Sequence, residues 1–239
     1  RGGFAEFALI DLAEAIAIPE RLSWEEAGGV PLTYIAVHDM LIGQGRLKAG
    51  EWLLVTGISS GAGVAAMQTA KMLGAKVIGT SGSNEKLARL QALGLDVGIH
   101  TRTGDFGDRV MQATGGIGAN LVVNNVGGSV FAECIRALAF QGRMATVGYV
   151  DNVLHADIDI EALHAKRLTL FGVSNKLRNA AQKAESTRGF VADMLPAIAD
   201  GRIRPVVDRV YGFDELHAAK AYMESNAHLG KIVLRVGSE

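Results

Sequence analysis

The residues most capable of chemistry form one short run, Thr56-Gly57-Ile58-Ser59-Ser60-Gly61-Ala62-Gly63-Val64. It follows an apolar stretch, Trp52-Leu53-Leu54-Val55, and precedes a helical pattern that ends near Gly74. A nucleotide pyrophosphate needs a tight turn after a strand, backbone free of side chains where the phosphates approach, and a helix that aims free N–H groups at their charge. Gly57, Gly61 and Gly63 supply the glycines, and Ser60, Ala62 and Val64 complete the candidate cradle. The spacing departs from G-x-G-x-x-G, so an ordinary glycine-rich connection is the rival reading and context must choose.

A second group bears on which dinucleotide would bind. The next apolar run, Lys76-Val77-Ile78-Gly79-Thr80, ends in Ser81-Gly82-Ser83, with Lys86 and Arg89 beyond. Sites that read a free ribose 2′-hydroxyl place an Asp or Glu at this point. Hydroxyls and cations would instead receive a 2′-phosphate, which favours NADPH. Plain solvated charges on a helix are the alternative for Lys86 and Arg89. No nucleophile–base pair emerges elsewhere, and the six histidines are scattered. Tyr34 and Tyr149 are the candidate proton donors or oxyanion partners, Tyr149 because it follows a strand end and Tyr34 against a competing core role.

These groups need a frame, and the chain supplies one by alternating short β-branched runs with helical patterns of about ten residues. Beyond the first two strands, runs at Asp96–Ile99, Leu121–Asn124, Arg143–Gly148 and Leu168–Gly172 complete six. Helices are expected over Val64–Leu73, from Ser83 to Gly94, over Asp105–Thr114, and through Phe131, Ile135 and Leu138. Six strands at this spacing suit an α/β, doubly wound parallel sheet and not an eight-stranded barrel. The flanks differ in pattern. Phe7–Ile10 and Ala15–Ile18 read as short strands, and Ser23-Trp24-Glu25-Glu26 as a capping box. After Ser174 come a long helix (Ala180–Ala199), a strand (Val206–Tyr211), a helix (Asp214–Ser225) and a last strand (Lys231–Val236). The division read from this pattern is 1–35, 36–175 and 176–239, with the outer pieces parts of a second domain around the nucleotide-binding unit.

Composition narrows the class. The 239 residues are 49% hydrophobic and 21% charged, with 30 glycines, 4 prolines and a net charge of −1. That balance gives no electrostatic case for nucleic acid or an anionic membrane, and no apolar run reaches the length of a membrane span. One cysteine, Cys134, allows no intrachain disulfide or cysteine-rich zinc site, and it lies on an apolar helical face as a core residue. The amino end has no export-signal pattern, so a cytoplasmic protein is expected.

Several stretches carry a family resemblance in consistent order: Gly3-Phe4-Ala5-Glu6-Phe7, Leu47-Lys48-Ala49-Gly50-Glu51, Gly57 to Val64, Gln68-Thr69-Ala70-Lys71, Asn124-Asn125-Val126-Gly127-Gly128, Gly142-Arg143, Arg204 to Asp208 and Gly230 to Leu234. With them the chain resembles the medium-chain dehydrogenase/reductase superfamily, in its zinc-independent quinone oxidoreductase branch. The resemblance implies a Rossmann-type six-stranded sheet flanked by remnants of a GroES-like catalytic domain, most of which would precede Arg1. It implies NADPH-dependent hydride transfer to a small-molecule substrate, a quinone or an activated C=C. It also implies a homodimer joined through the sixth strands. Zinc-dependent relatives place a ligand cysteine where this chain has Leu32, which cannot bind a metal. Position by position, Lys86 and Thr101 fall at the 2′-phosphate, with threonine in place of a frequent tyrosine and Arg102 beside it. Asn124, Val126 and Gly148 lie along the cofactor's path, Ser174 and Asn175 at the nicotinamide carboxamide, and Asn226 and Lys231 on a carboxyl-terminal segment that reaches the cofactor. The rivals are an alcohol dehydrogenase-like enzyme, a nucleotide-binding module with impaired catalysis, and an enoyl-reductase domain of a larger synthase.

Overall fold

A computed structural model describes residues 3–237. Six parallel strands form its centre: β1 (Trp52–Val55), β2 (Lys76–Ser81), β3 (Val97–His100), β4 (Ala119–Asn124), β5 (Leu138–Thr146) and β6 (Thr169–Gly172). Their order across the sheet is β3-β2-β1-β4-β5-β6. This is a doubly wound sheet whose order reverses between β1 and β4, so a crevice opens at their carboxyl ends.

Alternation along the strands builds two cores. Leu53, Val55, Val77, Leu121 and Val123 face one side and pack with buried residues of α2 (Thr33–His38), α3 (Gly61–Met72), α8 (Ala180–Asp193) and α9 (Leu195–Ala199). Leu54, Ile78, Ile99, Val122 and Met144 face the other, against α5 (Gly107–Ala113) and α6 (Phe131–Ala137). Cys134 is fully buried in this second core. The remaining helices are α1 (Trp24–Gly28), α4 (Asn84–Ala92), α7 (Ile160–Ala165) and α10 (Leu216–Glu224). A separate parallel pair, β7 (Val207–Gly212) and β8 (Lys231–Arg235), lies outside the main sheet.

Several expectations are corrected. Phe7–Ile10 and Ala15–Ile18 are not strands: Phe7 and Leu9 are 89% and 99% exposed, and neither run joins a sheet among the described residues. A β pattern without a neighbouring strand leaves its N–H and C=O groups to water. The long carboxyl-terminal helix breaks at Met194, because Pro196 has no N–H to donate to the helix before it and sits instead in the first turn of α9. Leu138 opens β5 directly after α6 and does not extend that helix. The last helical stretch begins as a 3₁₀ turn, Phe213–Glu215. Ser23 does cap α1, its hydroxyl accepting from the Glu26 N–H while the Glu26 carboxylate accepts from the Ser23 N–H.

One contact sets the direction of α3. The helix begins at Gly61, with Ser60 as N-cap accepting from the Gly63 N–H, so Gly61 and Gly63 lie in its first turn. A Cβ on Gly63 would stand 2.6 Å from the Ile58 Cα and 2.5 Å from its carbonyl oxygen. A Cβ on Gly79 would stand 2.7 Å from the Ile58 Cγ2 and collide with its Cδ1. Ile58 is thus held between two glycines, and its N–H donates to the Thr80 carbonyl at 3.0 Å. The amino edge is tied by Arg143, which donates to the carbonyls of Gly45, Arg46 and Asn120 and in a fork to Glu51.

Two outcomes follow from these contacts. Gly63→Ala should destabilise the protein by about 2–3 kcal/mol in urea unfolding, because only backbone could yield to its Cβ. Gly61→Ala, which meets the flexible Lys231 stem, should cost under about 1 kcal/mol. Arg143→Ala should cost about 2–4 kcal/mol, since it leaves a half-buried carboxylate and three carbonyls without their donor. Desolvation works against the Glu51 charge, yet the Arg143 hydrogen bond and the Lys48 N–H hold its pKa below 4.5. The Arg143–Glu51 contribution is therefore present above the unfolded pKa and is lost as pH falls through the folded one. Arg143→Ala should flatten the acid limb of stability against pH, measured by unfolding from about pH 7 to 3.

Candidate functional site

The crevice at the carboxyl edge is shaped by buried side chains that bond to backbone. Asn124 is fully buried, and its Oδ1 accepts from the Thr56 hydroxyl and from the N–H groups of Val126 and Gly127, while Nδ2 donates to the Gly127 carbonyl. Thr56 Oγ1 in turn accepts from the Asn125 N–H, and Asn125 Nδ2 donates to the Thr56 carbonyl. The strand ends of β1 and β4 are thereby locked together. Asn124 spends its side chain on this turn, so its place in the crevice is that of a support beneath Val126 and Gly127.

Gly127 sits at φ 131°, a conformation open to glycine alone, and a Cβ there would strike the Asp151 carboxylate. Burial opposes the Asp151 charge, but hydrogen bonds from Ser129 and the Val153 N–H hold its carboxyl below the usual range. Gly148 closes on the same turn, its missing Cβ 3.0 Å from the Asn125 carbonyl oxygen. Tyr149 follows and is 62% exposed.

At the crevice mouth stands the amino end of α3, whose first N–H groups, Gly61 and Ala62, have no acceptor within the helix by its geometry. The chain returns here from the far end of the sequence: the Gly230 N–H donates to the Ser59 carbonyl, and Ser60 and Gly230 form a β-bridge. Lys231 then crosses Gly61, its Cδ 2.8 Å and Cε 2.9 Å from where a Cβ would be. Burial alone lowers the Lys231 pKa, and no carboxylate among the described residues pairs with it. A desolvated cation beside a helix amino terminus is a site short of negative charge.

The end of β2 forms the next part. The Ser83 hydroxyl caps α4 by accepting from the Lys86 N–H, and the Ser81 hydroxyl accepts from the Ser83 N–H. Lys86 reaches the Asn226 carbonyl with its ammonium, and desolvation lowers its pKa. Asn226 is held at φ 53° in the turn after α10. Thr101 turns away from this group, donating to the Thr103 carbonyl and the Asp105 carboxylate. Arg102, next to it, lies over Gly82. Sequence spacing did not single out that placement, because strand register across β2 and β3 creates it.

Ser174 and Asn175 follow β6, with the Ser174 hydroxyl accepting from the Lys176 N–H. Asn175 lines an open cleft of about 820 Å³ with Ile16, Trp24, Pro31, Leu32 and Ile35. Leu32 is 67% exposed and stands at φ 62°, ψ −55°, bracketed by a 2.7 Å hydrogen bond from the Thr33 N–H to the Pro31 carbonyl. That is a γ-turn of the strained, positive-φ kind, at the lip of the cleft. Tyr34 lies behind it, not on the cleft wall: it is 2% exposed within the core, and desolvation raises its phenol well above the usual range. Its expected part as proton donor is corrected to a packing one. Among the described residues no three His, Cys, Asp or Glu side chains gather where they could hold a metal ion. No helix of the described residues is long and apolar enough to cross a membrane.

Comparisons with known proteins agree with this geometry. Residues 61–187 match the family model for zinc-binding dehydrogenases. Among curated relatives, a phenolphthiocerol/phthiocerol polyketide synthase of Mycobacterium tuberculosis is 30% identical over 92% of the chain, which spans 10% of that protein. Quinone oxidoreductase-like protein 2 of Bos taurus is 28% identical over 98% of the chain, which spans 66% of it. Among solved structures, an NAD-dependent alcohol dehydrogenase is 32% identical with a TM-score of 0.84, covering 99% of this chain and 66% of its own. Mycobacterial Rv1454c complexed with NADPH is 26% identical with a TM-score of 0.81, covering 91% and 67%. The chain therefore belongs to the zinc-binding dehydrogenase family of the medium-chain dehydrogenase/reductase superfamily.

Proposed function

We propose that this chain binds NADPH along the carboxyl edge of its sheet and serves in reduction of a quinone or an activated C=C, without a metal. The observation that carries the reading is the meeting of Lys231 with the amino end of α3 at Gly61. Gly57, Ser60, Gly61, Ala62, Gly63 and Val64 form the floor on which the pyrophosphate rests. Ser81, Ser83 and Lys86 present hydroxyls and a cation, with no carboxylate in the run 80–84, which supports a 2′-phosphate over a free hydroxyl. Val126 and Gly148 wall the middle of the crevice, and Ser174 and Asn175 offer hydrogen bonds at its nicotinamide end. Asn226 acts through the carbonyl that Lys86 holds.

When bound, the reduced nicotinamide supplies the hydride, and the protein's share is orientation and charge stabilisation. Tyr149, exposed beside the crevice, is the residue we assign to donate a proton or a hydrogen bond to the developing oxyanion. The nucleotide-binding unit is read as 36–175, with 1–35 and 176–239 belonging to a second domain; Arg1, Gly2, Ser238 and Glu239 lie outside the described residues. The edge strand β6, with half-buried Leu170 and Phe171, is the surface through which a homodimer would extend the sheet. A second reading, an enoyl-reducing segment of a larger synthase, is favoured by polyketide synthases that match 92–100% of the chain.

Calorimetric titration should show NADPH binding more tightly than NADH, and Lys231→Met should weaken both by about tenfold, since the pyrophosphate is common to them. A preference for NADH would remove the 2′-phosphate reading and leave the dinucleotide site. Following NADPH oxidation with a simple quinone, an enone and an α,β-unsaturated thioester separates the substrate readings. Tight NADPH binding with no oxidation of any of the three would make this polypeptide a binding module.

A further inference from the structure

One carboxylate holds both ends of the segment between β6 and α8. Asp39 lies where α2 passes into a π turn, Asp39–Gly43, closed by the Gln44 N–H donating five residues back to the Asp39 carbonyl at 2.9 Å. The Asp39 Oδ2 accepts from Arg178 Nη2 at 2.6 Å and from Gln44 Nε2 at 3.2 Å. Gln44 Nε2 also donates to the Gly172 carbonyl, at the end of β6, at 3.3 Å. With its other arm the Arg178 guanidinium reaches the Ser186 hydroxyl on α8. The Asp39 and Arg178 side chains are only 13% and 21% exposed, so solvent screens this pair less than an open surface pair.

Between the two anchors, among the described residues, the hydrogen bonds of Ser174 to Leu177 stay within the segment. The Lys176 N–H donates to the Ser174 hydroxyl, the Arg178 N–H donates to the Asn175 carbonyl, and Leu177 is 93% exposed. Asn175 nevertheless lines the same cleft as Leu32 and Ile35. Its place there depends on the anchors at Gly172 and Arg178. A neighbouring contact joins the same two helices elsewhere: His38 Nε2 lies 2.7 Å from Asp193 Oδ2, at the last residue of α8. Gly189 makes room for that ring, since a Cβ there would stand 2.6 Å from the His38 Cε1.

We infer that Asp39 is a positioning residue for the nicotinamide half of the cofactor, because by pinning Gly172 and Arg178 to α2 it holds Asn175 on the cleft wall. The inference rests on the proposed binding of a nicotinamide dinucleotide at this edge, and adds to it a residue that acts through Arg178 and Gln44. A segment already ordered in this way spends less of the ligand's binding energy on ordering itself.

The test is calorimetric titration of wild type, Asp39→Asn, Arg178→Gln, Arg178→Lys and His38→Gln, with urea unfolding of each. The ligands are NADPH and 2′-phospho-ADP-ribose, which differ by the nicotinamide ring alone, and NADH and ADP-ribose as a second such pair. Asp39→Asn and Arg178→Gln should weaken NADPH and NADH by about tenfold and leave the two ring-free ligands within about twofold. Arg178→Lys should recover part of the loss, because it keeps the charge opposite Asp39 and gives up the fork. His38→Gln should lower stability yet leave the ratio of each pair as in wild type, since it loosens α2 from α8 without releasing the segment. The inference is overturned if Asp39→Asn and Arg178→Gln leave those ratios within about twofold of wild type, or if His38→Gln lowers them as far. Where Asp39→Asn does not fold, the two Arg178 variants decide. Failure of the underlying reading shows separately, as a wild type that binds none of the four ligands; a preference for NADH would leave this test intact through the second pair.

Discussion

The structure depends on how closely the chain can pass from β1 into α3. Ile58 is enclosed by Gly63 on its own turn and Gly79 on the neighbouring strand, at separations that no Cβ would tolerate. Interiors packed at this density respond to one added carbon by moving backbone. The enclosure therefore fixes where the first turn of α3 lies and aims its N–H groups into the crevice. The bridge between Ser60 and Gly230, and with it the reach of Lys231 across Gly61, holds only while that turn stays in place.

Around this fixed point the carboxyl edge is made rigid by polar groups that satisfy one another. The Thr56, Asn124 and Asn125 side chains close the gap between β1 and β4, and each supplies the partner that a buried polar atom requires. Asp151 does the same for the turn at Gly127, where only glycine fits. The outcome is a braced carboxyl edge with cations at two places, Lys231 by α3 and the group near Gly82. The apolar cleft beside Leu32 carries Asn175, from the segment after β6, on its wall.

Much of this frame was legible in the sequence because buried parallel strands are short apolar runs and their helices carry good caps. The strands over 52–55, 76–81 and 119–124 contain the runs that pattern places at 52–55, 76–80 and 121–124, and Ser83 caps its helix as expected. Patterns failed where tertiary neighbours decide. Phe7–Ile10 has β character and no strand to pair with, and the helix after Asn179 stops where Pro196 withholds an N–H. At the site, spacing marked the glycines but not which contact each relieves. Tyr34 looked available for chemistry and is buried, Thr101 spends its hydroxyl within its own loop, and Arg102 reaches Gly82 only through the register of β2 with β3.

Amide hydrogen exchange with and without NADPH would report where the ligand's phosphates meet backbone. Protection should concentrate in residues 57–64, 124–128 and 226–231, with the amides of Gly61 and Ala62 among the most slowed. Protection confined to the cleft beside Leu32, or absent from residues 57–64 at saturating NADPH, would contradict a phosphate cradle at the amino end of α3.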